Sequence, residues 1–458
     1  MPAARHRLYG VGIALVLALG TGCGQTTASP IQSEDGGPPV TDGAPGVDGA
    51  ASGTEGGSSH PDAALRDGGL GGTPDATNTY EDFSNSSNWD AIDLATVASL
   101  ASPGPQVYWG AVFANGSLYL DPFSDFCVGY ETTLPFYSTA SWALIDLGSR
   151  YFGGVTDGRY VYFAPEGSSV ARYDTTRDVS NIGNWVAFDV TNVSPAATFF
   201  NGAVFDGRHV YLVPAGLGQP PVVARYDTTA SFGDVASWAV FDLSKTSPPG
   251  TAFFGGVFDG RYVYLVPLGS VVARYDTTRS FASAAAWTTF DVTAANPLAT
   301  GFNSGVFDGR YVYLIPSIDQ NRAPPPAHSL LVRYDTTAAF GAATSWQTVD
   351  VTTLTTSYNY ANGRGFSGGA FDGRYLYLVP ALSPFVARFD TGGSLGAPAA
   401  WSFFDTASVN RSAGAFNGAG FDGQYVYFVP GQAGTVMARF RSRTVPAIPA
   451  AMHGGSFF

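Results

Sequence analysis

One decapeptide constrains this chain more than any other feature. Phe258-Asp-Gly-Arg-Tyr-Val-Tyr-Leu-Val-Pro267 recurs with small changes from Thr156, Phe205, Phe307, Phe371 and Phe421, and in degenerate form over Phe113–Leu120. Its Asp-Gly pairs fall 49 to 64 residues apart. A repeat of that size cannot cover both faces of its own sheet, so it must stack on its neighbours.

Within one unit, four short apolar runs alternate with turn signals. Gly255–Phe258 ends at Asp259-Gly260, the pairing expected of a type I′ hairpin turn with both central residues at positive φ. Arg261–Val266 is rich in β-branched and aromatic residues and stops at Pro267, which cannot donate to a ladder. Val271–Asp276 and Trp287–Val292 follow. No stretch has a sustained helical apolar period. Four strands in meander order, at this spacing, predict a β-propeller.

The fourth-strand Trp occurs at 89, 142, 185, 238, 287, 346 and 401, with an apolar residue six positions before each. The hairpin also occurs seven times, but Trp89 precedes every hairpin and the last hairpin has no Trp strand after it. Both series fit an all-β, seven-bladed propeller of four-stranded antiparallel blades, closed by the N-terminal strand 89–94 completing the last blade. The order of hairpin, Tyr-x-Tyr strand, Arg-Tyr-Asp strand (Arg225–Asp227, Arg274–Asp276, Arg333–Asp335) and Trp strand resembles the kelch repeat over residues 83–440. It departs from that pattern where Val266-Pro267 replaces the double glycine ending the second strand. The resemblance implies a propeller fold. Kelch-like propellers include binding scaffolds and a copper oxidase, and no Tyr/His/Cys cluster here matches the oxidase's ligands.

Residues 1–22 read as a lipoprotein-type signal, with Arg5 and Arg7 before an apolar core at Leu8–Leu19 and small residues before Cys23. Cys23 is the expected lipidation site, and ordinary secretion is the alternative. The Gly/Ser/Pro/Asp-rich segment 23–78 lacks the apolar residues needed to offset ordering entropy and is expected to be a disordered tether. At about 5–6 Å × √n it would average on the order of 40 Å between its ends. Residues 79–441 form the expected propeller and 442–458 a flexible tail. Cys127 has no partner for a disulfide framework and is expected to be buried and inert.

A net charge of −13 disfavours nucleic acid as a partner. Just over half of the carboxylates, 19 of 36, and 11 of the 23 basic residues stand at repeat positions, as turn formers or as Arg–Asp pairs expected to tie strands and blades together. A specific site must therefore lie where blades differ. The loops joining strands 2 to 3, and each blade to the next, carry nearly all the variation. Two of them supply candidates. Ser317–His328 offers Asp319, Arg322 and His328. Tyr358–Arg364 offers Tyr358, Asn359, Tyr360, Asn362 and Arg364, a mixture of aromatics, amides and an Arg suited to a sugar or peptide. Trp109, the one Trp outside the repeat series, lies near the same mouth. His209 stands in for a repeat Tyr and is expected in the core.

No nucleophile elbow, phosphate loop or metal-ligand spacing is present in the sequence, and no catalytic residue, metal or cofactor is expected. The resulting expectation is an exported, lipid-anchored module, periplasmic or on the cell surface, binding a protein or carbohydrate ligand in the envelope or outside the cell. Its membrane contact would be through the lipid alone. A carbohydrate-active enzyme, with Asp125 and Asp319 facing one mouth, and a multivalent structural component of the envelope are the alternatives.

Overall fold

In the computed structural model, residues 79–97, 107–123, 125–216, 218–317, 329–355, 365–431 and 434–444 are described. They form seven four-stranded antiparallel sheets and one two-stranded ribbon. The sheets are the blades of a propeller, numbered 1 to 7 from the first hairpin. The inner strand of each blade packs on that of the next, and blade 7 packs back on blade 1.

Closure is as the two repeat series require. Trp89–Asp93 is the fourth strand of blade 7 and pairs along Val436–Phe440. Beyond the expected end of the propeller at 441, Arg443–Thr444 pairs with Thr79–Tyr80. The segment expected to be a free tail thus begins with ordered chain. Tyr80 packs edge-on against Tyr375 beside the hairpin glycine Gly373, and Arg443 Nε donates to the carbonyl of Gly423, the next blade's hairpin glycine. Both ends of the ring therefore sit on the face of the conserved-length hairpin turns.

Those turns differ from the expected type I′. Among the described non-glycine residues only Asn115, Phe199 and Ala415 have positive φ, so the hairpin Asp does not. Only the glycine does, at 96 to 99° in blades 2 to 7. The Asp side chain closes the turn instead. In blade 6, Asp372 accepts from the amides of Arg374 and Tyr375 and from the Tyr377 hydroxyl. An Asx-type closure of this kind needs a positive φ at one residue only. The true I′ pair is Asn115-Gly116 in the degenerate blade 1, with φ of 47 and 78°. Asp372 is buried, so Asp372→Ala removes three charge-assisted bonds and should destabilise by about 3 kcal/mol. Arg208→Ala, which breaks the exposed 2.7 Å pair with Asp227, should leave stability nearly unchanged because solvent screens the pair. Urea denaturation of the two variants checks the contrast.

The core is divided among the blade-to-blade interfaces, and the Trp residues show how. Each fourth-strand Trp donates Nε1 to the carbonyl six residues earlier, for example Trp238 to Phe232 and Trp287 to Phe281. The recurring six-residue offset is the span of this bond. Four of these indoles stack on a ring of the preceding blade, for example Trp238 on Phe188 at 4.8 Å and Trp89 on Phe404 at 4.2 Å. The Arg–Asp pairs, expected to tie both strands and blades, mainly tie strands: Arg159–Asp174, Arg261–Asp276 and Arg310–Asp335 are all within one blade. Blades are tied by the third-strand Arg, which lies over aromatic rings. Arg274 sits 4.1 Å from the Tyr262 ring of its own blade and 4.2 Å from Phe340 of the next. His209 is not in the core. It is half-buried at its hairpin, with Nδ1 3.2 Å from Asp206 Oδ2. Cys127 is buried, and burial pushes its thiol up.

Candidate functional site

Every inner strand starts with an apolar anchor (Tyr or Phe) and then breaks register with its partner by one residue. Such a bulge turns a side chain away from the ladder. Here it brings the second residue of all seven inner strands to the channel, at the end of the variable loops. These residues are Trp109, Phe152, Asn201, Phe254, Asn303, Ser367 and Asn417, and they border an open cavity of about 160 Å³. The ring narrows because glycine follows in most blades: a Cβ on Gly418 would stand 2.7 Å from the Cα of Gly110.

The ring mixes three aromatic side chains with four polar ones. Trp109, Phe152 and Phe254 come from blades 1, 2 and 4 and meet across the channel. Their rings lie 5.3 Å (Trp109 to Phe152) and 5.6 Å (Trp109 to Phe254) apart, with Phe123 4.9 Å from Phe152. Three of the four polar residues tie one blade to the next. Asn201 Nδ2 donates to the Phe253 carbonyl, Ser367 Oγ to that of Phe416, and Asn417 Nδ2 to that of Tyr108.

Among the described residues, Asp121 is the one ionisable residue on the cavity border. It occupies the second-strand position that holds Ala164, Val213, Val266, Ile315, Val379 or Val429 in the other blades. It is fully buried. Oδ2 accepts from the Gly153 amide at 2.7 Å, joining blades 1 and 2; the Asp121 and Gly110 amides also lie close enough to favour the charged carboxylate, but none meets Oδ1 with the alignment of a hydrogen bond. Burial raises its carboxyl to about 7, against the smaller opposing effects of the Gly153, Asp121 and Gly110 amides.

Of the residues anticipated from sequence, Trp109 is at this cavity. Asp319, Arg322, His328, Tyr358, Asn359, Tyr360, Asn362, Arg364 and Cys23 lie outside the described residues. The strands that flank both candidate loops, ending at Pro316 and beginning at Phe366, belong to neighbouring blades at the cavity end. Asp125 is exposed in a loop of blade 1. Among the described residues no group of three or more His, Cys, Asp or Glu could hold a metal ion. Sequence reasoning missed Asp121 and the second-residue ring. Aligning the repeats on their Asp-Gly turns would have exposed Asp121, because an acid breaks an otherwise apolar column; the ring depends on the bulge, which has no such signal.

No protein family and no characterised protein sequence matches the chain. Similar solved structures include one described as YCF48 bound to D1 peptide, at 14% identity over 77% of this chain and 96% of that one, with a TM-score of 0.50. Another is the β-propeller domain of Cps50 (Swd1) from Myceliophteria thermophila, at 12% identity over 73% and 96%, TM-score 0.48. A third is selenomethionine-substituted virginiamycin B lyase from Staphylococcus aureus, at 10% identity over 77% and 98%, TM-score 0.49. What they share with this chain is the β-propeller fold. At such identities function does not follow from fold.

Proposed function

We propose that this protein is a binding module, exported and anchored through a lipidated Cys23, that takes a protein or glycan ligand at the variable-loop end of its channel. The observation that carries the reading is the ring of bulged second residues. Seven near-identical strands deliver seven side chains of four kinds to one open cavity, three of them aromatic and four polar. That mixture suits a ligand with an apolar body and polar edges. The loops bearing Asp319 to His328 and Tyr358 to Arg364 would extend the same surface. A peptide is favoured as ligand by the YCF48 propeller, which is described as bound to one.

The test uses the full chain on immobilised peptide and glycan panels, with release of reducing ends followed in parallel. Asn303→Trp fills the mouth with a residue that blade 1 already carries at the equivalent position. It should reduce binding at least tenfold and leave the thermal midpoint nearly unchanged. Shortening 358–364 should weaken binding as well. Binding indifferent to Asn303→Trp would remove the channel mouth from the reading, and release of reducing ends would replace it with catalysis.

A further inference from the structure

The cavity's chemistry is one-sided. Among the described residues on its border there is no Lys, Arg or His, and one acid. That acid, Asp121, keeps one oxygen bonded to Gly153 and the other without a hydrogen bond. Oδ1 is buried beside Gly110, where a Cβ would come within 3.1 Å of it, so a side chain at that position would crowd the carboxylate. Burying a carboxylate without a full set of partners is costly, and a cationic partner offsets that cost. Three aromatic rings share the same space, and ring faces attract cations, most strongly where water is displaced. Neutral hydroxyl ligands would satisfy the rings but leave the charge uncompensated.

We infer that the channel cavity binds an alkylammonium group, with Asp121 as its counter-ion and Trp109, Phe152 and Phe254 as its walls. This deepens the binding reading above and rests on it. A volume of about 160 Å³ holds roughly five water volumes. That is room for a short alkyl chain ending in an ammonium, as in a lysine side chain or a free amine, and excludes a bulky ligand from entering whole. Few other titrating groups bear on Asp121. Cys127 faces it, and burial pushes that thiol well up. Tyr108 and Tyr151, on the far side of Cys127, are raised by burial too. Arg150 lies over Phe123 at 5.7 Å, with its charge directed to Glu166 at 3.7 Å.

The experiment is calorimetric titration of the full chain with n-butylamine, butan-1-ol and a short peptide with a central lysine, at pH 8 and pH 6. Butylamine is expected to bind saturably at one equivalent, and butan-1-ol not to bind. Asp121→Asn, which keeps the shape and the acceptor for Gly153, should weaken butylamine at least tenfold. Trp109→Ala should weaken it too. Wild-type affinity should fall roughly tenfold from pH 8 to pH 6 as Asp121 takes up a proton, and that dependence should vanish in Asp121→Asn. Tighter binding of the lysine peptide would identify a protein side chain as the source of the amine, and equal or weaker binding a free amine. Failure of butylamine to bind, or binding indifferent to Asp121→Asn, overturns the inference. If a panel ligand is still lost on Asn303→Trp, the binding reading survives that failure. If no panel ligand depends on Asn303, both fall.

Discussion

Deletion of residues 79–97 is expected to abolish cooperative folding of the whole ring. This segment supplies the outer strand of blade 7, and its loss leaves Val436–Arg441 as an unpaired edge. It also removes Phe83 and Trp89, whose rings pack within 4.2 to 6.0 Å of Phe404, Phe440, Tyr377 and Phe428. Asp90 holds Arg439, and Asp93 accepts from Thr435, so the polar half of the seam goes as well. Trp89→Ala alone should cost about 3–5 kcal/mol. Thermal melts followed by circular dichroism will read the effect. A peptide spanning 79–97, added in trans, should restore the transition in the deleted chain. A deleted chain that melts cooperatively within a few degrees of the full one would show that blade 7 closes by other means.

The second large effect is expected at Asp121, and its sign is opposite: Asp121→Asn should stabilise. The carboxyl is raised from an ordinary 3.8 to about 7 by burial, so the folded chain prefers it protonated. Its stability contribution is complete below about pH 4 and is lost as pH rises through 7. By pH 8 the loss should reach roughly 4 kcal/mol, the equivalent of the full shift. The amide cannot ionise and escapes it. Chemical denaturation of wild type and variant should give nearly equal stabilities at pH 4 and a gap of a few kcal/mol at pH 8. A gap that does not change with pH would mean that Asp121 is ionised in the folded chain at all these values. Taken with the amine titration, the same substitution that strengthens the fold should empty the site. A residue that costs stability and serves a ligand is a recognised trade-off.

The repeats made the architecture legible in the sequence because each blade states the same rules again. The Trp series and the hairpin series, offset by one at the ends, contain the closure. Turn geometry was less legible. Asp-Gly between two strands is the usual I′ signal, yet here the Asp carboxylate replaces backbone geometry by capping two amides and a Tyr hydroxyl, a three-dimensional device invisible to dipeptide rules. Arg–Asp recurrence likewise suggested blade-to-blade ion pairs, whereas cation–π packing of Arg274 or Arg388 does that work from strand three. The site was the least legible part. Loop length and composition drew attention to 317–328 and 358–364, while the cavity is set by one bulged residue per strand. A bulge has no sequence signature of its own, and Asn201 or Ser367 looks ordinary until seven such positions are placed in a ring.

The two-stranded ribbon of Thr79–Tyr80 with Arg443–Thr444 has a consequence for orientation. It lies on the hairpin side of the disc, across the full depth of the propeller from the cavity mouth. With Cys23 as the proposed anchor, the leash would be fastened to the underside of the disc. The opening would then lie on the opposite face of the disc from its point of attachment.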